Sequence, residues 1–226
     1  MPTALIMGAS RGLGVEFARH YADEGWRIIG THRDASGKKA LKEVPGVETR
    51  QLDVTDHAAI EDLARSLKND PIDLLLNVAG IYGPRPALLG GIDYDAWEEV
   101  FRVNTMAPLK ICASFVDHVA RSERKQIVTV SSIMGSMGSN DVGGAYIYRS
   151  SKAALNAVMK SLAVEVEPRG VTVVVLHPGW VRTDMGGPGA DIDPADSVTG
   201  MRQVIGGLSP ADNGRFFNYD GSPLPW

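Results

Sequence analysis

The sequence is short of several things, and each shortage removes a class of function. It holds one cysteine, Cys112, in 226 residues. No intrachain disulfide can form. With Ile111 and Ala113 as neighbours, the thiol is expected to be a buried core residue rather than a nucleophile. Positive charge is not in excess: 23 Lys and Arg stand against 27 Asp and Glu, a formal net charge of -4. Nucleic-acid binding usually needs a basic patch or stripe, so no nucleic-acid partner is expected. Arg121, Arg124 and Lys125 read as solvated helix ends. No apolar run approaches the length of a membrane span. The opening residues, Met1 to Met7, lack the basic stretch and apolar core of a signal peptide. A cytoplasmic protein with no membrane partner is expected, and no metal site. Repeats, low-complexity tracts and linkers are also missing.

What remains is ordinary globular usage, 44% hydrophobic and 22% charged. The length suits one domain over residues 1–226. Short runs at Ala4–Met7, Arg27–Gly30, Val47–Leu52, Ile72–Leu76, Ile127–Val130 and Val171–Leu176 read as strands, several of them continuously apolar, as strands buried on both faces should be. A last strand is placed at Arg215–Asn218. Between them lie helical stretches at Gly12–Glu24, Asp56–Leu67, Tyr94–Val119 and Ala145–Glu167, the third broken near Pro108. The alternation predicts an α/β fold: a Rossmann-type, doubly wound parallel sheet flanked by helices. The Gly/Pro-rich stretch Gly186–Pro194 reads as a loop over a site, because too little chain follows to build a second domain.

The run Gly8, Ala9, Ser10, Arg11, Gly12, Leu13, Gly14 follows the first strand and opens the first helix. Glycines there let backbone approach a pyrophosphate, and the helix N-terminus offers it unpaired N–H groups. The spacing is G-x-x-x-G-x-G rather than G-x-G-x-x-G. The second strand runs into Thr31, His32, Arg33 and Asp34. An acid there would bind the ribose 2′-OH of NAD, whereas a cation would receive the 2′-phosphate of NADP. Arg33 can fork onto a phosphate, with Arg11 reaching it from the other side. Asp34, if it faced the ribose, would suit NAD. The two cations favour NADP(H) over NAD(H). Asp53, followed by Val54, ends the third strand. It either accepts from the adenine amino group or caps the helix starting near Asp56. Asn77, Val78, Ala79 and Gly80 form a small-residue turn at the carboxyl edge, where α/β ligands bind.

Tyr148 and Lys152 stand four apart at the start of a helix and share one face. A phenol is a poor base at neutral pH. A neighbouring ammonium stabilises the phenolate, which can then exchange a proton with a carbonyl or alcohol. Tyr146 has Ser150, not a lysine, four residues on. Ser131 and Ser132 end the fifth strand, where a hydroxyl can hold a substrate oxygen. Asn104 lies inside a helical stretch, where asparagine is a mediocre former. There it is either structural or the holder of a water for a proton relay.

Together these residues resemble the short-chain dehydrogenases/reductases along nearly the whole chain. The resemblance is carried by the Gly8–Gly14 turn, Asn77–Gly80, Asn104, Ser132, Tyr148 with Lys152, and Pro178 with Gly179. It implies that Tyr148 is the acid/base, and that Lys152 lowers its pKa and holds the nicotinamide ribose. Ser132 would position the carbonyl, being three before Gly135 as Ser131 is not, and Asn104 would support a proton relay. Pro178, Gly179, Val181 and Thr183, in the segment His177–Thr183, would hold the nicotinamide carboxamide. More narrowly, Gly143–Asn156, His177–Met185, Gly214–Gly221 and the Pro225, Trp226 pair resemble sniffer-type carbonyl reductases and C-signal-like proteins. Met7 and Val78 depart from the family, which commonly has Thr and Asn there. The resemblance implies NADP(H)-dependent reduction of an aldehyde or ketone, or the reverse, by a homodimer pairing through its two long helical stretches. A signalling protein that keeps the cofactor site is the other reading. The substrate pocket is expected between Ile81–Gly91, Gly135–Gly144 and Met185–Asp196.

Overall fold

The computed structural model describes residues 1–85 and 89–226. Seven strands make one sheet: β1 Thr3–Met7, β2 Arg27–His32, β3 Val47–Gln51, β4 Leu74–Asn77, β5 Gln126–Val130, β6 Thr172–His177 and β7 Arg215–Asn218. Their order is β3-β2-β1-β4-β5-β6-β7, and every neighbouring pair is parallel. The chain winds outward from β1 in one direction, then returns to β4 and winds the other way. The β1–β4 crevice is therefore the switch point at which doubly wound sheets bind ligands.

Alternate strand residues feed two cores. On one face Leu5, Met7, Val173 and Val175 meet α3 (His57–Ser66), α5 (Ala107–Ala120) and α6 (Tyr146–Val166). On the other, Ala4, Ile6, Val174 and Leu176 meet α1 (Gly12–Asp23), α2 (Ala35–Lys42) and α7 (Pro194–Gly206). Strands covered on both sides must be apolar at consecutive positions, and β1, β4 and β5 are buried throughout.

Two helices, α2 and α7, lie outside the helical stretches expected from sequence. Helix α2 has Gly37 in its interior and α7 has Gly200, both poor helix formers. What secures them is the packing of Leu41, and of Val198, Met201 and Ile205. The irregularity expected near Pro108 is present, just before it, and it does not end the helix. Helix α4 (Tyr94–Phe101) runs on through a single wide turn at Arg102–Met106 into α5, and the Ala107 N–H reaches back five residues to the Arg102 carbonyl. Pro108 has no N–H and would crowd the carbonyl four residues back. Widening the preceding turn absorbs this without ending the helix. Most of the Gly186–Pro194 stretch is a loop, tied by Arg182 to Asp193 and to the Ala190 carbonyl, and Pro194 opens α7. Among the described residues no helix is long and apolar enough to cross a membrane.

Candidate active site

At the end of β1 the chain turns at Gly8 with φ +84, and the Gly8 N–H donates to Thr31 Oγ1 at 2.9 Å. A Cβ on Gly8 would lie 2.8 Å from the Ala79 backbone, and one on Gly14 would lie 2.1 Å from the Gly8 carbonyl oxygen. These two glycines are demanded by the packing of the turn itself. Gly12 is different: a Cβ there would meet only Thr183, at 3.4 Å. Bare backbone thus faces Thr183 across the start of α1, and no side chain caps that helix. Uncapped N–H groups beside glycines are what a pyrophosphate needs. Ser10 packs against Gly37 of α2, and Leu13 faces the core under α1.

Arg33 is exposed at the end of β2 and forms no ion pair among the described residues. Asp34 does not compete for the ribose. It caps α2, accepting from the Gly37 N–H at 3.0 Å and from Ser36 Oγ at 2.6 Å. Those bonds, and Arg33 after them, hold its carboxyl below the ordinary range. Arg11 reaches Asp184 at 3.8 Å, an exposed pair of little strength. Asp53 is not the cap of α3. That role belongs to Asp56, which accepts from the Ala59 N–H, while Asp53 accepts from the Thr55 N–H and hydroxyl. Val54 packs against the α3 core. The Asn77 side chain turns into the protein, donating to Thr129 Oγ1 at 3.2 Å and Cys112 Sγ at 3.5 Å, with Oδ1 unpartnered among the described residues. It ties β4 to β5 and α5 instead of facing the crevice. The thiol it touches is buried and pushed up to about 12 by that burial.

The other end of the crevice is built from buried side chains. Gly143, Gly144 and Ala145 all take positive φ, Ala145 at +44, and swing the chain into α6 so that Tyr148 and Lys152 occupy its first two turns. Tyr148 is 7% exposed, Lys152 4%, Ser132 8% and Asn104 fully buried. The short turn Ile133–Gly135 presses directly on α6: a Cβ on Gly135 would lie 2.7 Å from the Lys152 backbone. Ser132, at the head of that turn, accepts from the Met134 N–H at 3.1 Å, and its hydroxyl acts on the Tyr148 phenol, pulling its pKa down. Ser131 is committed elsewhere, donating to Asn156 Oδ1 at 2.7 Å, and Asn156 also donates to the Gly135 carbonyl. Ser131 is thereby tied to α6, and Asn156 emerges as a support that spacing alone did not single out.

Asn104 sits in the wide turn. Its amide donates to the Ile81 carbonyl at 2.8 Å and Ser151 Oγ at 3.0 Å, and its Oδ1 accepts from the Ile81 N–H. The side chain is fully used in clamping the loop after β4. A water at this position would therefore need a backbone carbonyl, and Pro108 has no N–H to give the carbonyl of Asn104. Gly80 completes the wall, where a Cβ would lie 3.3 Å from Asn104 Oδ1 and 3.6 Å from Lys152 Nζ.

A family model described as short chain dehydrogenase matches residues 2–191. The chain belongs to the short-chain dehydrogenases/reductases. Among curated relatives it is 43% identical over 163 residues to C-signal of Myxococcus xanthus, covering 72% of this chain and 98% of that protein. Among solved structures it resembles carbonyl reductase Sniffer of D. melanogaster, with a TM-score of 0.93 and 32% identity over the whole of both chains. It also resembles the NADPH-bound carbonyl reductase from chicken fatty liver: TM-score 0.92, 32% identity, 100% of this chain and 99% of that one.

In this short-chain dehydrogenase/reductase, burial governs both titrating groups. It pushes the Tyr148 phenol up to about 12, against Ser132 and the more distant Arg85, which pull it down. It pushes the Lys152 ammonium down to about 8. Lys152 Nζ lies 5.8 Å from the Tyr148 ring centroid and donates to the Val130 carbonyl at 3.1 Å. The expected lowering of the phenol by this lysine is not seen: burial raises the phenol, and the groups that pull it down are Ser132 and Arg85. Above Tyr148 lie three residues that no sequence spacing revealed. Tyr82 stacks on it at 4.4 Å between centroids and 20° between planes. Arg85 stacks on Tyr82, and Met185 Sδ lies 4.0 Å from the Tyr148 hydroxyl. All three belong to the segments expected to wall the pocket; residues 86–88 of the first wall lie outside the described ones.

Proposed function

We propose that the protein is an NADP(H)-dependent carbonyl reductase, reducing an aldehyde or ketone to an alcohol or running the reverse. The carrying observation is that Lys152 lies beside Gly80 and faces the Tyr148 ring, next to Ser132, at the carboxyl edge that also holds the uncapped α1 and its glycines. When bound, the cofactor supplies the hydride that reaches the carbonyl carbon. Tyr148 gives its hydroxyl proton to the carbonyl oxygen, and Ser132 orients that oxygen. A phenol held protonated by burial is the loaded form for reduction. Lys152, still largely an ammonium at neutral pH, stabilises the phenolate left behind and holds the nicotinamide ribose. Asn104 fixes the loop under which the proton is replaced from water.

Arg33 receives the 2′-phosphate, since Asp34 is spent on α2. Gly8, Ser10, Gly12, Leu13 and Gly14 cradle the pyrophosphate. Asp53 and Val54 border the adenine, and Ala79 and Gly80 the ribose. Pro178, Gly179, Val181 and Thr183 border the nicotinamide. Two relatives named above as carbonyl reductases, one with bound NADPH, support this assignment. The test is NADPH consumption against a panel of aldehydes, ketones and quinones. Turnover that is lost in Tyr148→Phe is expected. Saturable NADPH binding with no turnover on any of them would overturn the reading and favour a cofactor-binding signalling protein, a reading motivated by the identity with C-signal. We also propose a homodimer, for which the exposed Met106 and Leu109 on the α4–α5 stretch offer an apolar contact. Light scattering giving the monomer mass of 24.2 kDa at micromolar concentration would refute it.

A further inference from the structure

Most arginines of the chain are paired with a carboxylate; Arg85, at the mouth of the site, has no acidic partner among the described residues. Its guanidinium carbon lies 3.7 Å from the centroid of Tyr82, which in turn stacks on Tyr148. One of its nitrogens donates to the Met185 carbonyl at 2.8 Å. Arg85 thus bridges the loop after β4 to the segment after β6 directly above the Tyr148 ring, and most of its donors face outward. The groups beside it are apolar: the Tyr82 ring beneath its guanidinium and the Met185 thioether, 4.0 Å from the Tyr148 hydroxyl. A guanidinium without an acidic partner, lying over an aromatic ring, can recognise a planar anion through two parallel hydrogen bonds.

We propose that Arg85 is a specificity residue, selecting carbonyl substrates that carry a carboxylate on an apolar body several bonds from the reacting C=O. This rests on the carbonyl-reductase reading. The cation is placed to hold the far end of the substrate while the carbonyl sits between Tyr148 and Ser132. The stack on Tyr82 fixes the guanidinium plane, so the anchoring is directional. A lysine would supply charge without the fork or the stack.

The test compares 4-carboxybenzaldehyde with its methyl ester, which share ring and aldehyde and differ in charge. The readout is the acid-to-ester ratio of kcat/KM in wild type divided by the same ratio in Arg85→Gln, which cancels the intrinsic reactivity of the two aldehydes. A value of about ten or more at low salt is expected, as for loss of one charge-assisted contact, shrinking as salt rises. Arg85→Lys should keep part of the preference. A value near one would overturn the proposal while leaving the reductase reading intact. In parallel, calorimetry measures binding of 4-(hydroxymethyl)benzoate and its methyl ester to the protein with NADP. If neither aldehyde is reduced, the reductase reading fails. The binding preference and its loss in Arg85→Gln then decide the role of Arg85 alone, and equal binding of acid and ester by wild type would overturn it.

Discussion

At the β1–β2 end of the crevice the site is made of backbone and exposed side chains. Gly8 and Gly14 leave no room for a methyl group, Gly12 faces Thr183 bare, α1 has no side-chain cap, and Arg33 stands in solvent. At the β4–β6 end it is made of side chains that are nearly all buried: Tyr148, Lys152, Ser132 and Asn104. The difference follows from what each end must hold. A pyrophosphate needs many weak donors at close range and a surface that admits a charged ligand. A proton-transferring centre needs few groups, fixed rotamers and little water, so that their interactions are not screened. Burial has its own cost, visible in the phenol and the ammonium each being pushed toward its neutral form. One end should therefore fail by small losses of affinity, the other by large losses of rate and by sensitivity to acid.

The largest effect belongs to Tyr148→Phe, which keeps the ring, its stack on Tyr82 and the burial, and deletes only the transferable proton. Turnover should fall by roughly 10²–10⁴, with NADPH binding nearly intact in a fluorescence titration. Tyr146→Phe is the control, since that ring is 40% exposed and has no lysine four residues on. Near wild-type single-turnover rates in Tyr148→Phe, with loss in Tyr146→Phe, would put the proton on the wrong ring.

The buried end should also carry an acid liability. His177, at the end of β6, has a sealed Nδ1 with no partner among the described residues, and burial pushes its imidazole down to about 4, against the nearby Asp220. The unfolded chain, with an ordinary value near 6.5, binds that proton more readily than the folded one. Stability from this group is therefore fully present above pH 6.5 or so and is lost as pH falls toward about 4. The total is on the order of 3 kcal/mol. Urea midpoints measured from pH 7.5 to 4 should fall across that window, and less steeply in His177→Gln. A midpoint that is flat in wild type, or equally steep in the variant, would remove His177 from the account.

Much of this contrast can be read in the sequence, and the unreadable part has a physical pattern. The Gly8–Gly14 turn and the Tyr148–Lys152 pair show because their geometry is local: a tight turn needs glycine, and one helix face repeats every three to four residues. The parallel sheet shows because strands covered on both faces must be apolar throughout. Tyr82 and Arg85 over Tyr148 do not show, since the stack joins a loop to a helix more than sixty residues away. Nor does the use of Asn104, whose side chain clamps Ile81, or of Asn77, which turns inward to Thr129. Helices α2 and α7 were hidden by their interior glycines, which argue against a helix wherever tertiary packing is not yet known. The Arg33–Asp34 ambiguity was local, yet it needed α2 to resolve: once a helix begins at Ala35, Asp34 is its cap.

That resolution gives the smallest effect and the sharpest discrimination between the two ends. If Arg33 receives a 2′-phosphate, its loss touches only the cofactor that carries one. Arg33→Ala should weaken NADPH binding by about tenfold or more, the loss of one charge-assisted contact of roughly 1.5–3 kcal/mol. NADH binding should stay where it was. The preference should also shrink with salt, because Arg33 is exposed and its field is screened. Arg11 complicates the magnitude, since its pairing with Asp184 must be given up before it can help; that pair is exposed and weak, so a residual preference in Arg33→Ala is expected and should vanish in the double variant Arg33→Ala, Arg11→Ala. Because Tyr148 and Lys152 are untouched, single-turnover hydride transfer at saturating cofactor should match wild type. Wild-type protein binding NADH as tightly as NADPH would sink the 2′-phosphate assignment. A variant that lost rate as well as affinity would show that the two ends of the crevice are not as independent as their construction implies.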